Sequence, residues 1–413
     1  MKGIAETEKK KSDNNYGLGF DPIDVDPLIS EHLYKLENEK IFKKTWLKVA
    51  RVEEVSEIGG FKVKKLDFAN TSAIIVRGKD NQIRAFHNIC THRGNKVIPE
   101  EGNETFGKAK ANVMTCRFHG WVFDTDGSVR SVPKEEEFES FDKGCYGLKE
   151  INCDVWEGFV FINLDQNPSQ TLREYLGGMA DHFSGYKYGE STYAFTYRTV
   201  LNCNWKVALY AFTEGYHVET IHAGTLPGLA QTIVHKDFKL FGPHSTSAVY
   251  SKRREGAGIE PTPVTAKLGG MLKESPIHGP KLDELPKSIN PEKSDDFQFE
   301  FPTIFPNLVK HVCAGFSYPG LSYFTHQFWP MGVGKTVWEG TNYFHKPKNA
   351  AEAVAIAHVN ALHRNAWLED TGTMEDTFEA ASSGVLDRMP LMTEELMIRN
   401  THAHWHQYVT ESE

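Results

Sequence analysis

Several things are missing from this chain, and each absence narrows the reading. No stretch approaches the ~18–20 consecutive apolar residues of a membrane span. Residues 1–15 carry Lys9-Lys10-Lys11 but no apolar segment of the secretory kind, so cytoplasmic localisation without a membrane is expected. Cysteine is scarce: six in 413 residues, at 90, 116, 145, 153, 203 and 313, without the spacing of a disulfide framework. Positive charge is not in excess. A formal net charge of −9 argues against nucleic acid as a partner, because phosphate binding needs a basic surface. There is no internal repeat, no low-complexity tract and no glycine-rich flavin or dinucleotide fingerprint, so any reducing equivalents must come from another protein. What is present, 40% hydrophobic and 12% aromatic residues, suffices for two globular domains.

Two of the few cysteines are placed with purpose. Cys90-Thr91-His92 is followed, after 23 intervening residues, by Cys116-Arg117-Phe118-His119, and each pair is closed by a glycine, Gly94 or Gly120. A zinc finger usually takes both cysteines from one loop and both histidines from another. Here each loop supplies one of each. That mixed pairing suits a two-iron cluster in which Cys90 and Cys116 hold one iron and His92 and His119 the other, the Rieske arrangement, whose imidazoles raise the reduction potential. The glycines let backbone amides approach the sulfurs. A zinc-stabilised binding module is the competing reading.

Along the chain, apolar positions from Pro27 to Trp46 recur at helical spacing and predict one or two helices covering the first domain. Short β-rich segments follow at 60–64, 72–76 and 83–87, with a hairpin turning at Asp126-Gly127 and a closing strand at 158–164. Residues 100–108 read as an inserted surface loop. The polar turn at 165–169 divides the chain into a tail with covering helices (1–45), an all-β domain (46–165) and a larger domain (166–413). Residues 251–296, rich in charge and proline, read as a long flexible loop. Aromatic strands at 308–312, 321–330 and 335–344 predict an antiparallel sheet, and two helices, about 350–382 with a break and 390–408, end the chain.

The pattern C-x-H…C-x-x-H-G-W resembles the Rieske domain of the Rieske non-haem iron oxygenases, and Asn204-Trp205-Lys206 followed by Glu214-Gly215-Tyr216-His217 and His222 resembles the segment that opens their mononuclear iron site. The gap between the cluster pairs is longer than is usual there. The resemblance implies an α+β fold, a small all-β [2Fe–2S] domain plus a catalytic domain of antiparallel sheet with helices, helix-grip in type. It implies His217 and His222 as iron ligands. Two histidines five apart sit about 140° apart on a regular helix, so a helix end or kink must bring them together. A carboxylate from a C-terminal helix completes the set, with Asp376 in Glu375-Asp376 preferred and Asp370 or Glu375 as alternatives. Glu214 corresponds to a carboxylate that carries electrons between subunits, which implies a homotrimer or α3β3 assembly. Cofactors would be the [2Fe–2S] cluster and Fe(II), with O2 as co-substrate and NAD(P)H acting only through a ferredoxin or reductase. The expected activity is hydroxylation of a hydrophobic, aromatic or ring-containing substrate in aromatic catabolism; the alternatives are oxidative N- or O-demethylation and a non-catalytic electron carrier.

Overall fold

The computed structural model describes residues 16–225, 233–251, 285–294, 296–314 and 321–410. Most of the expected 251–296 loop lies outside the described residues. The chain divides into two compact units, residues 37–175 and residues 1–36 with 176–413. Among the described residues no helix is long and apolar enough to cross a membrane.

The 37–175 unit is built on a seven-stranded antiparallel sheet in the order Leu47–Arg51, Phe159–Asn163, Glu150–Trp156, Ile83–His87, Thr71–Arg77, Gly60–Leu66, Glu104–Lys108, with a three-stranded sheet of Val113–Thr115, Val122–Asp124 and Val129–Ser131 beside it. Central strands are β-branched and buried on both faces, as Ile74, Ile75 and Val76 show. Residues 104–108, expected as a surface loop, form an edge strand instead. The backbone ladder from Gly60↔Lys108 to Lys64↔Glu104 holds it to the sheet, and Glu104 reaches Lys62 at 3.0 Å and Lys64 at 3.1 Å.

The second unit has its own seven-stranded antiparallel sheet, ordered Tyr193–Leu201, Lys335–Phe344, Leu321–Gly332, Leu308–Ala314, Phe297–Ile304, His244–Ser251, Ile233–Phe241. The first strand in sequence pairs with the last, along Tyr193↔Phe344 to Leu201↔Thr336. Asn349 caps the Ala350–Ala381 helix by accepting from the Glu352 amide, and the helix runs unbroken, without the expected break. It buries Ala355, Ile356 and Val359 against Phe344. Near the N-terminus Asp26–Ile29, Glu31–Glu37 and Asn38–Phe42 are helical, and Phe42 packs on Phe68 with ring centroids 5.1 Å apart. Ile23–Asp24 pairs with Arg388–Met389, and Arg399 donates to the Asp21 carbonyl at 2.6 Å, which fixes this segment to the second unit.

Candidate functional site: a cluster cradle and a histidine–carboxylate centre

In the first unit the two Cys/His loops have one backbone geometry used twice. The Gly94 amide donates to the Cys90 carbonyl at 2.9 Å, and Gly120 to Cys116 at 3.0 Å; the Cys90 amide donates to Asn95 and the Cys116 amide to Trp121. Each turn closes on a glycine at φ +76° or +75°, a conformation that other residues adopt only with strain. Cys90 and Cys116 are buried in an apolar cluster with Phe86, Trp121 and Phe123. His92 and His119 are half-exposed with ring centroids 4.6 Å apart, and Trp121 stacks on His92 at 5.0 Å.

Backbone amides approach both sulfurs. Burial pushes the Cys90 thiol up, while amides of His92 and Arg93 donate toward its sulfur. Burial also acts on Cys116, but amides of Phe118 and His119 and the Asn95 side chain, 3.7 Å from its sulfur, bring that thiol below its ordinary value. Burial and the nearby His119 and Arg93 lower the His92 imidazole, so it stays neutral, as a ligand must be. Its Nδ1 is buried with no hydrogen-bond partner. Two amide-solvated sulfurs and two neighbouring imidazoles, one with an orphaned nitrogen, fit a [2Fe–2S] cluster.

In the second unit the five-residue spacing of His217 and His222 is accommodated by a helix break. The Trp205–Ala211 helix ends, and the two histidines flank the single turn Val218–Ile221, one at each end. Their rings come within 5.3 Å. His217 Nδ1–H donates to Glu214 Oε1, and His222 Nδ1–H donates to Glu369 Oε2 at 2.9 Å. With both Nδ1 atoms so held, the Nε2 atoms converge on Asp370 Oδ1, at 3.6 Å and 3.2 Å. One ligand atom from each of the three residues lies within 4.8 Å of the others. Asp370 is 3% exposed, and its Oδ1 is buried with no hydrogen-bond partner. Such an orphan is costly unless a cation completes it. Burial lowers the His222 pKa, but Asp370 and Glu369 outweigh it and raise the group, a sign that the site attracts positive charge.

The preferred carboxylate, Asp376, is not among these residues. Six positions beyond Asp370 on a helix amount to about 120° of rotation, and Asp376 is exposed. Glu375 is also engaged elsewhere, accepting from the Asn202 amide at 2.8 Å. Asp370, the alternative, occupies the position. Glu369 was missed altogether, although Glu-Asp occurs twice, at 369–370 and 375–376, and only the first pair is in phase with buried Val359, His363, Trp367 and Met374.

Residues 45–142 match the Rieske [2Fe-2S] domain, and residues 184–411 match the ring hydroxylating alpha subunit (catalytic domain). The chain belongs to the ring-hydroxylating alpha-subunit family. Members of this family are Rieske non-haem iron oxygenases, with a [2Fe–2S] domain and a catalytic domain that binds mononuclear iron. Two relatives show its breadth. The carnitine monooxygenase oxygenase subunit of Acinetobacter baumannii is 32% identical over 206 residues, covering 49% of this chain and 52% of the relative. Biphenyl 2,3-dioxygenase subunit alpha of Rhodococcus jostii is 29% identical over 298 residues, covering 68% and 62%. The chain thus spans about half to three-fifths of the length of the curated relatives it matches. Among solved structures, a quaternary ammonium Rieske monooxygenase in complex with L-carnitine superposes with TM-score 0.71 at 22% identity over 94% of this chain and 95% of that one. Naphthalene 1,2-dioxygenase from Rhodococcus sp. bound to indole gives 0.70 at 19% over 98% of each. Both show the alpha-subunit fold.

Beside the histidine–carboxylate centre lies a cavity of about 110 Å³ that opens to solvent. Phe212, Phe299, Phe301, Phe324 and Trp367 form much of its wall. Among the described lining residues there is no lysine or arginine, and the carboxylates are Glu214 and Asp370, both turned to imidazoles.

Proposed function

We propose that this chain is the terminal oxygenase of a multicomponent system and hydroxylates a neutral, hydrophobic, ring-containing substrate with O2. The observation that supports it is the aromatic cavity, with no lysine or arginine among its described lining residues, directly beside His217, His222 and Asp370. These three would hold Fe(II), and Cys90, Cys116, His92 and His119 the cluster. Bound iron would supply the reduction of O2, with electrons from a ferredoxin or reductase passing through the cluster. The chain's own residues do the rest. Glu214 and Glu369 keep the proton on each Nδ1, which fixes the tautomer and turns each Nε2 lone pair to the metal. Aromatic walls hold the ring by apolar contact and exclude water. Glu214 is also the proposed electron bridge to a cluster histidine of a neighbouring subunit, within a homotrimer or an α3β3 assembly.

The second reading is oxidative N- or O-dealkylation. Similarity to a carnitine monooxygenase favours it, and aromatic faces can hold a methylated ammonium by cation–π contact. Single turnover of chemically reduced protein with O2 and a panel of ring compounds and N- or O-methylated compounds, read by mass spectrometry, separates the two. Oxygenated ring products support hydroxylation, whereas products short of an alkyl group support dealkylation. If neither appears with both metals loaded, both substrate readings are wrong while the fold reading stands.

The iron site makes a prediction of its own. Glu369→Gln removes the charge opposing His222 Nδ1–H and should weaken Fe(II) binding about tenfold, read by titration of metal-free protein. Unchanged affinity would show that Glu369 does not support the ligand.

A further inference from the structure

The cavity wall is aromatic, but it is not uniformly apolar. His311, His326 and His363 also line it, on strands Leu308–Ala314 and Leu321–Gly332 and on the Ala350–Ala381 helix. His326 is fully buried between rings. Phe212 stacks on it at 4.0 Å between centroids, and Trp367 meets it edge-on at 4.8 Å.

The tautomer of His326 is fixed by its neighbour. Trp338 Nε1–H, which can only donate, bonds to His326 Nδ1 at 3.2 Å, so Nδ1 carries the lone pair and the proton of the neutral ring sits on Nε2. Burial, reinforced by His311 and His363, holds the ring neutral across the physiological range. Yet Nε2 is buried and has no hydrogen-bond partner. His363 is set the other way. Its Nδ1–H donates to Asn342 Oδ1 at 2.7 Å; Asn342 in turn donates to Asn360 at 2.9 Å, and Asn360 to the Tyr197 hydroxyl at 2.6 Å.

The frame around His326 is sterically committed. Gly340 lies directly across the strand pair from His326, and a Cβ there would come within 2.6 Å of the Trp338 ring and 2.9 Å of the Trp367 ring. Trp338, which sets the tautomer, and Trp367, which closes the wall, can sit together only because position 340 is glycine.

We propose that His326 is a specificity-determining residue whose Nε2–H donates to a hydrogen-bond acceptor on the substrate, so the cavity takes a ring compound bearing a carbonyl or ether oxygen in preference to the bare hydrocarbon. This rests on the ring-substrate reading and deepens it. A buried donor without a partner is unfavourable until an acceptor arrives, and a site built this way discriminates strongly against a ligand that lacks one.

The test compares indan-1-one with indane, using the full-length protein loaded with both metals and equilibrium binding followed by tryptophan fluorescence. The wild-type protein should bind the ketone at least about tenfold more tightly. In His326→Phe, which keeps a ring and removes the N–H, the preference should fall to near unity. Trp338→Phe, which frees the tautomer, should lower it part-way and serves if the first variant does not fold. Equal binding of the two compounds by wild-type protein would overturn the role of His326 alone. A preference that survives in His326→Phe would overturn it as well. Failure of both compounds to bind would overturn the ring-substrate reading, and this inference with it.

Discussion

Asp370→Ala is expected to abolish product formation, with a loss on the order of 100-fold or more, and to leave the red-brown cluster spectrum unchanged. An outer carboxylate that merely supports a metal ligand is worth about 10- to 100-fold, so removal of a ligand itself should exceed that range. Two features make Asp370 sensitive. Its Oδ1 is the shared neighbour of both Nε2 atoms, and it is buried with nothing else to bond. Without it the remaining imidazoles face a pocket with no counter-charge at that edge. The cluster residues lie in the other compact unit, and their loops are closed by their own backbone bonds, so their spectrum should persist. Iron content per chain before and after the substitution, together with single-turnover product, gives the measurement. Asp376→Ala is the control and should stay within about twofold of wild type, as surface changes usually do. Loss of iron in Asp376→Ala with retention in Asp370→Ala would reverse the assignment.

The choice between these aspartates shows where sequence reasoning reaches its limit. Cluster residues were legible because a short loop fixes them locally: Cys90 to Gly94 and Cys116 to Gly120 each close within one turn. Strands such as Thr71–Arg77 and Ile83–His87 were legible because β-branched and apolar runs bounded by turns state their own conformation. Asp370 was chosen against because a local pattern, Glu-Asp followed by glutamate, outweighed the phase of a 32-residue helix, although that phase was present in Val359, His363 and Trp367. What sequence spacing does not carry is pairing between distant segments. The edge strand Glu104–Lys108 pairs with a strand some forty residues earlier, to which Glu104 adds ion pairs, and Ile23–Asp24 pairs with residues near the far end of the chain. Likewise, Glu369 became visible only once the 217–222 turn and the long helix were placed side by side.

Glu214→Gln should slow reoxidation of the reduced cluster by about 100-fold at saturating Fe(II), the upper end of the range for a carboxylate acting through a ligand. Within its own chain Oε1 of Glu214 accepts from His217 Nδ1–H, and Oε2 accepts from the backbone amides of Tyr216 and His217. Glutamine can present one oxygen, so either the imidazole or the amide pair would then face an N–H group. His217 would lose its orientation or the turn its closure. That in-chain effect weakens metal binding and is compensated by adding iron. A bridge to a neighbouring subunit is not compensated, because the conduit for the electron is itself altered. Tyr216, 72% exposed, places this edge of the site at the surface, where a second copy could approach. Stopped-flow cluster absorbance after addition of O2 and substrate, repeated across iron concentrations, separates the two roles. Recovery of the wild-type rate at high iron would leave Glu214 as a positioning residue for His217 alone, whereas a slow rate that iron does not restore supports the electron path through the subunit interface.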